Sequence, residues 1–372
     1  MSYEDLVRKV EPYTAGEQPK DASVIKLNTN ECPYPPSPAV TVAIRELEDK
    51  SERLRLYPDM DASMLVGALA DRYHVDPDEI FVGVGSDDVL SMSFLTFFTA
   101  GKKLLFPDIT YSFYDVWADL YRIDYTAVPL KDDFTIDPLD YIPAAEGGRL
   151  EQTAGIGDIS GLGGIVFPNP NAPTGAELPL SSIESIVRAN PGVVVIVDEA
   201  YVDFGAQSAL QLTKKYKNLL IVQTFSKSRA MAGLRVGFAM GNRKLIRYLK
   251  DVKFSFNSYT MNLPSLLIGT AAVRDEAYFR KTTQRIIETR ERFKKDLTQL
   301  GFVYPDSKTN FVFARHPDVH AKVLFAKLRE RKIIVRYFDK PRINEYLRIT
   351  IGTDGQMKAV TEALRDILAG AV

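Results

Sequence analysis

From about residue 80 to about residue 257 the chain alternates seven short apolar runs with helical stretches. The runs are IFVGVG (80–85), KLLF (103–106), IDYTAVPL (123–130), GGIVFP (163–168), VVVIVD (193–198), LLIVQT (219–224) and RVGFAM (235–240). Several are apolar at successive positions rather than alternating, so both faces of such a strand must be covered. Strands separated by helical crossovers form a mainly parallel sheet with helices on each side. The expected fold class is α/β, with a large domain built on a mainly parallel seven-stranded sheet. Its ligand is expected beyond the carboxyl ends of the strands.

The flanking segments read differently. Residues 1–26 are polar and aperiodic, an N-terminal arm. After the proline-rich PYPPSPAV (33–40), Pro38 suits the first turn of a helix reaching about Lys50. The stretch from Leu263 to Gly301 reads as one or two long helices. NFVFAR (310–315), IIVRYF (333–338) and YLRITIG (346–352) are shorter strands of a smaller α+β unit. The expected division is an arm at 1–26, a large domain at 27–257 and a small C-terminal domain at 258–372. The glycine-rich segment 146–164 is expected to be a loop or a short irregular helix.

A net charge of −1 gives no global field for nucleic acid or an anionic membrane, so neither is an expected partner. No apolar run approaches the roughly 20 residues of a membrane span. A single cysteine, Cys32, excludes an intramolecular disulfide and a thiolate metal cluster. With no signal-peptide core in MSYEDLVRKVEPY, a cytoplasmic location is expected. His316 and His320 stand four apart, but Pro317 argues against one shared helix, and no metal site is expected.

Four segments at strand ends carry chemistry. TFSKSRAMAGLRVG (224–237) sets Lys227 beside the hydroxyls of Thr224 and Ser226, with Arg235 eight positions later. VVVIVDEAY ends a buried strand on Asp198, followed by Tyr201. Taken alone it resembles a Walker B element, but the chain has no G-x-x-x-x-G-K-[ST] to accompany it. FPNPNAPTG (167–175) holds Asn171 in a proline-fixed turn. GVGSDDVL opens a helix after a glycine turn, and the free amides near Gly85, Ser86 and Asp87 suit one phosphate. Asp88 stands where a dinucleotide fingerprint needs its third glycine, which weakens a nicotinamide reading. Lysine, strand-end acid, asparagine turn and phosphate cradle together suit pyridoxal 5′-phosphate. Lys227 can condense with its aldehyde, Asp198 can keep its pyridine nitrogen protonated, and Arg235, Thr224 and Ser226 can hold its phosphate.

With these motifs in order, and with LNTNECPYPPSP, LYPD and LRITIGT, almost the whole chain resembles the fold-type I aminotransferases. More narrowly, it is similar to the histidinol-phosphate aminotransferases. The resemblance implies that Lys227 moves the proton, that Asn171 and Tyr201 hold the cofactor's phenolic oxygen, and that Tyr111 lies over its ring. It implies a homodimer in which Tyr57 reaches the phosphate of the neighbouring subunit's cofactor. It implies that Arg336 and Arg348 receive substrate anions, with Tyr13, Asn30 and Tyr201 completing the pocket. The implied reaction transfers the amino group of L-histidinol phosphate to 2-oxoglutarate, in histidine biosynthesis. An aromatic amino acid aminotransferase and a threonine-phosphate decarboxylase are the alternatives on the same scaffold. YFDKPRINEY shows no aromatic cluster peculiar to an imidazole.

Overall fold

All seven runs become strands of one sheet in the computed structural model, which describes residues 2–21 and 23–370. In chain order they are β1 (Ile80–Gly83), β2 (Lys103–Pro107), β3 (Tyr125–Val128), β4 (Leu162–Pro168), β5 (Val194–Asp198), β6 (Leu219–Thr224) and β7 (Gly237–Gly241). Their lateral order is β1-β7-β6-β5-β4-β2-β3. Only β7 runs against its neighbours, β1 and β6; the other pairs are parallel. Alternate residues of the central strands feed two separate cores. Ile165, Val195 and Ile221 pack on one face, and Val166, Ile196 and Leu220 on the other. Each such side chain contributes about 1.5–3 kcal/mol on burial, which is why these runs lack alternation.

The second unit is an antiparallel sheet of β8 (Phe311–Ala314), β9 (Arg336–Tyr337) and β10 (Leu347–Thr350), ordered β9-β10-β8. Helices Glu276–Gln299, Ala321–Glu330 and Asp354–Ala369 bury Phe293, Leu324 and Leu364 in the same core as Val312 and Ile349.

Two local features depart from the sequence expectation, and the stretch after residue 263 takes the two-helix form of the one or two helices expected. IIVRYF divides, because Ile333–Ile334 pairs with Ile25–Lys26 whereas Arg336–Tyr337 pairs with β10. The end of the arm is therefore a strand, and Leu27 is buried in the smaller core. The stretch after residue 263 is two helices, Leu263–Arg274 and Glu276–Gln299, separated by Asp275, whose side chain accepts the Tyr278 N–H and caps the second. The first of these packs Leu266, Ile268 and Val273 into the large core. We propose that the domain joint lies at Asp275 and that Ile25–Leu27 belongs with the small domain.

Within 146–164 the backbone forms a five-residue helix, Leu150–Ala154, and a single tight turn at Ile159–Gly161. His320 caps the helix Ala321–Glu330 by accepting the Lys322 N–H. Among the described residues no helix is long and apolar enough to cross a membrane.

Candidate active site

The carboxyl ends of β1, β2, β4, β5 and β6 open onto one cavity of about 220 Å³. Its wall includes Ser86, Asp87, Tyr111, Asp198, Tyr201, Thr224, Ser226, Lys227 and Arg235. Parallel strands all deliver their following loops to the same edge, so residues 140 positions apart in sequence meet there. A larger cleft, about 950 Å³, lies between Arg72, Gln211 and Gln284 and holds none of the expected site residues.

Lys227 follows β6 in a turn whose neighbour Ser228 is tied down by donating to Asp203 Oδ2 at 2.5 Å. The Lys227 ammonium donates to the Thr29 carbonyl at 3.1 Å and stands 5.9 Å from the Tyr201 ring centre. Tyr201 Oη accepts from Asn30 Nδ2 at 2.8 Å, and Asn30 is itself fixed by Thr350 and Asn310 of the small domain. Asn30 thus reaches the cavity through Tyr201.

Asp198 ends β5 and is buried. Its Oδ2 accepts from the Tyr114 hydroxyl at 3.0 Å and its Oδ1 from the Ala200 N–H at 3.2 Å. Burial pushes its carboxyl from an ordinary 3.8 up to about 6, against the lowering effect of those two donors. Among the described residues no lysine or arginine pairs with it closely. Tyr114 went unassigned in the sequence, although its three-residue spacing from Tyr111 puts both rings near one helix start. Thr29 and Glu31, in the quoted stretch LNTNEC, also line the cavity without having been assigned.

The phosphate-sized end has a definite construction. The helix Ser86–Phe97 starts without a side-chain cap, after Gly85 at φ 85°. A β-carbon on Gly85 would meet the Arg235 guanidinium, so the absent side chain leaves that group room at the helix start. Arg235 Nη1 donates to Ser226 Oγ at 3.4 Å, and Ser226 Oγ also accepts from Thr224 Oγ1 at 3.0 Å. The carboxylate of Asp87 takes part as well, beyond the backbone amide that the sequence mainly points to. It accepts from Arg235 at 2.9 Å and from the Tyr111 hydroxyl at 2.7 Å. Burial, with the Asp87 charge second, holds the Tyr111 phenol well above its usual range.

Of the other expected residues, Asn171, Arg336, Arg348 and Tyr13 do not line this cavity themselves. Asn171 donates through Nδ2 to the Ile109 carbonyl at 3.0 Å and to Thr174 at 2.9 Å, leaving a buried Oδ1 without a partner. Arg336 and Arg348 are direct cross-strand partners. Arg348 Nη2 donates to the Asn28 carbonyl at 2.9 Å while its Nε has no partner. Burial lowers its pKa, and the nearby Arg336 charge adds to that. The two like charges stand together without a carboxylate partner among the described residues. Tyr13 stacks on Phe113 at 4.1 Å. Tyr57 is 81% exposed, stacks on Tyr259 at 4.6 Å, and does not line this chain's own cavity.

These residues fit pyridoxal 5′-phosphate. Asp198 is a buried carboxylate lacking a protein cation, and a protonated pyridine nitrogen supplies one. The orphaned Asn171 Oδ1 can accept from a ring hydroxyl, and the uncapped helix start and Arg235 suit the phosphate.

The family model described as aminotransferase class I and II matches residues 22–364. The chain belongs to this family. Class I and II aminotransferases are pyridoxal 5′-phosphate enzymes that move amino groups, and the cofactor here is pyridoxal 5′-phosphate. The chain is 53% identical over 363 residues to histidinol-phosphate aminotransferase of Aromatoleum aromaticum, covering 98% of both chains. It is 50% identical over 366 residues to histidinol-phosphate aminotransferase 2 of Dechloromonas aromatica, again covering 98% of both. Among solved aminotransferase structures, histidinol-phosphate aminotransferase from Sinorhizobium meliloti, in complex with pyridoxal 5′-phosphate, shares the fold. That pair has a TM-score of 0.81 at 22% identity, over 94% of this chain and 92% of the other.

Proposed function

We propose that this aminotransferase acts on L-histidinol phosphate and 2-oxoglutarate, yielding imidazole acetol phosphate and L-glutamate in histidine biosynthesis. The carrying observation is the couple Arg336 and Arg348, cross-strand partners on the small sheet with no carboxylate partner among the described residues. A phosphate on one substrate and a carboxylate on the other are alternative occupants of the same two forks. The near-full-length relatives named for histidinol phosphate support the choice of amino donor.

The cofactor, when bound, supplies the carbonyl that takes up the amino group and the electron sink that makes the substrate Cα–H acidic. The chain's own groups do the rest. Lys227 Nζ is the base that removes the Cα proton and returns it elsewhere. Asp198 keeps the ring nitrogen cationic, and Tyr114 and Ala200 hold its two oxygens in place. Thr224, Ser226, Arg235 and the amides after Gly85 anchor the phosphate, while Asn171, Tyr201 and Tyr111 fix the ring. Tyr13 and Asn30 complete the substrate side, Asn30 by holding the Tyr201 hydroxyl.

The unit is proposed to be a cytoplasmic homodimer in which Tyr57 completes the partner's phosphate site. Leu54, Leu56, Tyr57, Phe256 and Tyr259 are exposed, an apolar surface that a second copy would cover.

Turnover of a substrate panel tests the reading. Histidinol phosphate should be used far better than phenylalanine. A preference for phenylalanine, or carbon dioxide release without a keto acid, would overturn it in favour of the aromatic aminotransferase or the decarboxylase.

A further inference from the structure

Directly opposed residues of an antiparallel sheet present their side chains on one face. Phe313 of β8 opposes Arg348 of β10, which opposes Arg336 of β9, so the three form a single row. The Phe313 end of this row is anchored in the other domain. Phe134, in the turn after β3, meets Phe313 edge-on at 5.7 Å and Tyr346 at 5.3 Å, and those two rings stack at 4.5 Å. Phe134 is buried and has φ 64°, a left-handed backbone that a bulky residue keeps only where its surroundings enforce it.

A second contact crosses the same joint in the opposite sense. Arg342, in the small-domain loop between β9 and β10, donates through Nη1 to Asp108 Oδ2 at 2.9 Å. Its Nη2 donates to the carbonyls of Leu130 and Lys131 at 2.7 and 2.9 Å. Asp108 Oδ1 accepts the Leu130 N–H at 2.9 Å, so the receiving rim is itself braced. That rim runs on to Tyr111 in the cavity wall. The loop that Arg342 fastens also carries Phe338, whose ring centre lies 5.3 Å from the Arg336 guanidinium carbon and 5.5 Å from that of Arg348. A lone exposed ion pair contributes little. A guanidinium shared among one carboxylate and two carbonyls also fixes direction.

We infer that Arg342 and Phe134 are positioning residues that hold the Arg336–Arg348 row against the large-domain cavity, and so set the affinity for anionic substrates. This rests on the reading of the two arginines as the substrate-anion site.

The test compares R342A, R342K, D108N, the R342A/D108N pair and R348A as cofactor-loaded proteins. The measurements are kcat and KM for both substrates, the Kd of succinate by calorimetry, and cofactor affinity by absorbance titration. R342A should raise both KM values and the succinate Kd on the order of tenfold, with kcat and cofactor affinity within about twofold. R342K keeps the charge but not the fork and should recover part of the loss. D108N combined with R342A should add little to R342A alone, since both remove the same contact. Unchanged KM and Kd in R342A, or a parallel fall in kcat and cofactor affinity, would overturn the inference. An R348A variant that binds succinate normally would instead sink the anion-site reading beneath it, whatever Arg342 does.

Discussion

Asp198 presents a measurable conflict between stability and function. Without the cofactor its carboxylate is buried with two hydrogen-bond donors and no close cationic partner, and its pKa rises from 3.8 to about 6. The folded apoprotein therefore binds a proton more tightly than the unfolded chain does. That contribution is fully present below about pH 3.8 and is lost as pH rises through about 6, in total about 3 kcal/mol. About 1.4 kcal/mol of it falls between pH 5 and pH 8. D198N carries no charge, keeps an acceptor for the Ala200 N–H, and can donate to the Tyr114 oxygen. Urea denaturation of both apoproteins, at one protein concentration, should show the variant gaining about 1.4 kcal/mol on wild type from pH 5 to pH 8. Loaded with cofactor the order should reverse, because the wild-type carboxylate then meets a cation. The variant should bind the cofactor at least about tenfold more weakly and lose most of kcat. A pH-independent difference between the apoproteins, or tighter cofactor binding by D198N, would refute the assignment of Asp198 to the ring nitrogen.

Other consequences are as direct. K227A loses a single hydrogen bond to the Thr29 carbonyl, so its apoprotein should denature within about 1 kcal/mol of wild type, with turnover down at least about a thousandfold; normal turnover would remove Lys227 from the chemistry. G85A places a methyl against Arg235 at a left-handed backbone position and should weaken cofactor binding by on the order of tenfold, read by equilibrium dialysis. Y114F removes a donor that lowers the Asp198 pKa, so the pH dependence of apoprotein stability should shift to higher pH. Sedimentation should give twice the chain mass, and Y57F should weaken cofactor binding without dissociating the particle; a monomer with normal cofactor affinity would contradict the shared site.

Much of this molecule is written in hydrophobic pattern. The central apolar runs became strands because both of their faces have a core to enter, while the edge strand Tyr125–Val128 buries only Val128. Strand ends in a parallel sheet share one edge, so the pattern alone brings Asp198, Lys227 and Ser86 together. What stayed hidden depends on contacts that pattern does not encode. Ile25–Lys26 lies in a polar arm, and two residues carry no periodicity; pairing with Ile333–Ile334 creates that strand. The helix Leu263–Arg274 is apolar enough for either domain, and only packing assigns Leu266 and Val273 to the large core. The carboxylate of Asp87 on Arg235 joins residues 148 positions apart. The same holds for the Phe134 and Arg342 joint, whose contacts join residues far apart in the chain.

Borohydride reduction of the cofactor-loaded protein, followed by tryptic mapping, tests the central assignment most directly. The pyridoxyl group should be found on the peptide spanning residues 218–229, left uncleaved at Lys227. A label on another lysine, or none at all after reduction of a fully loaded sample, would contradict it.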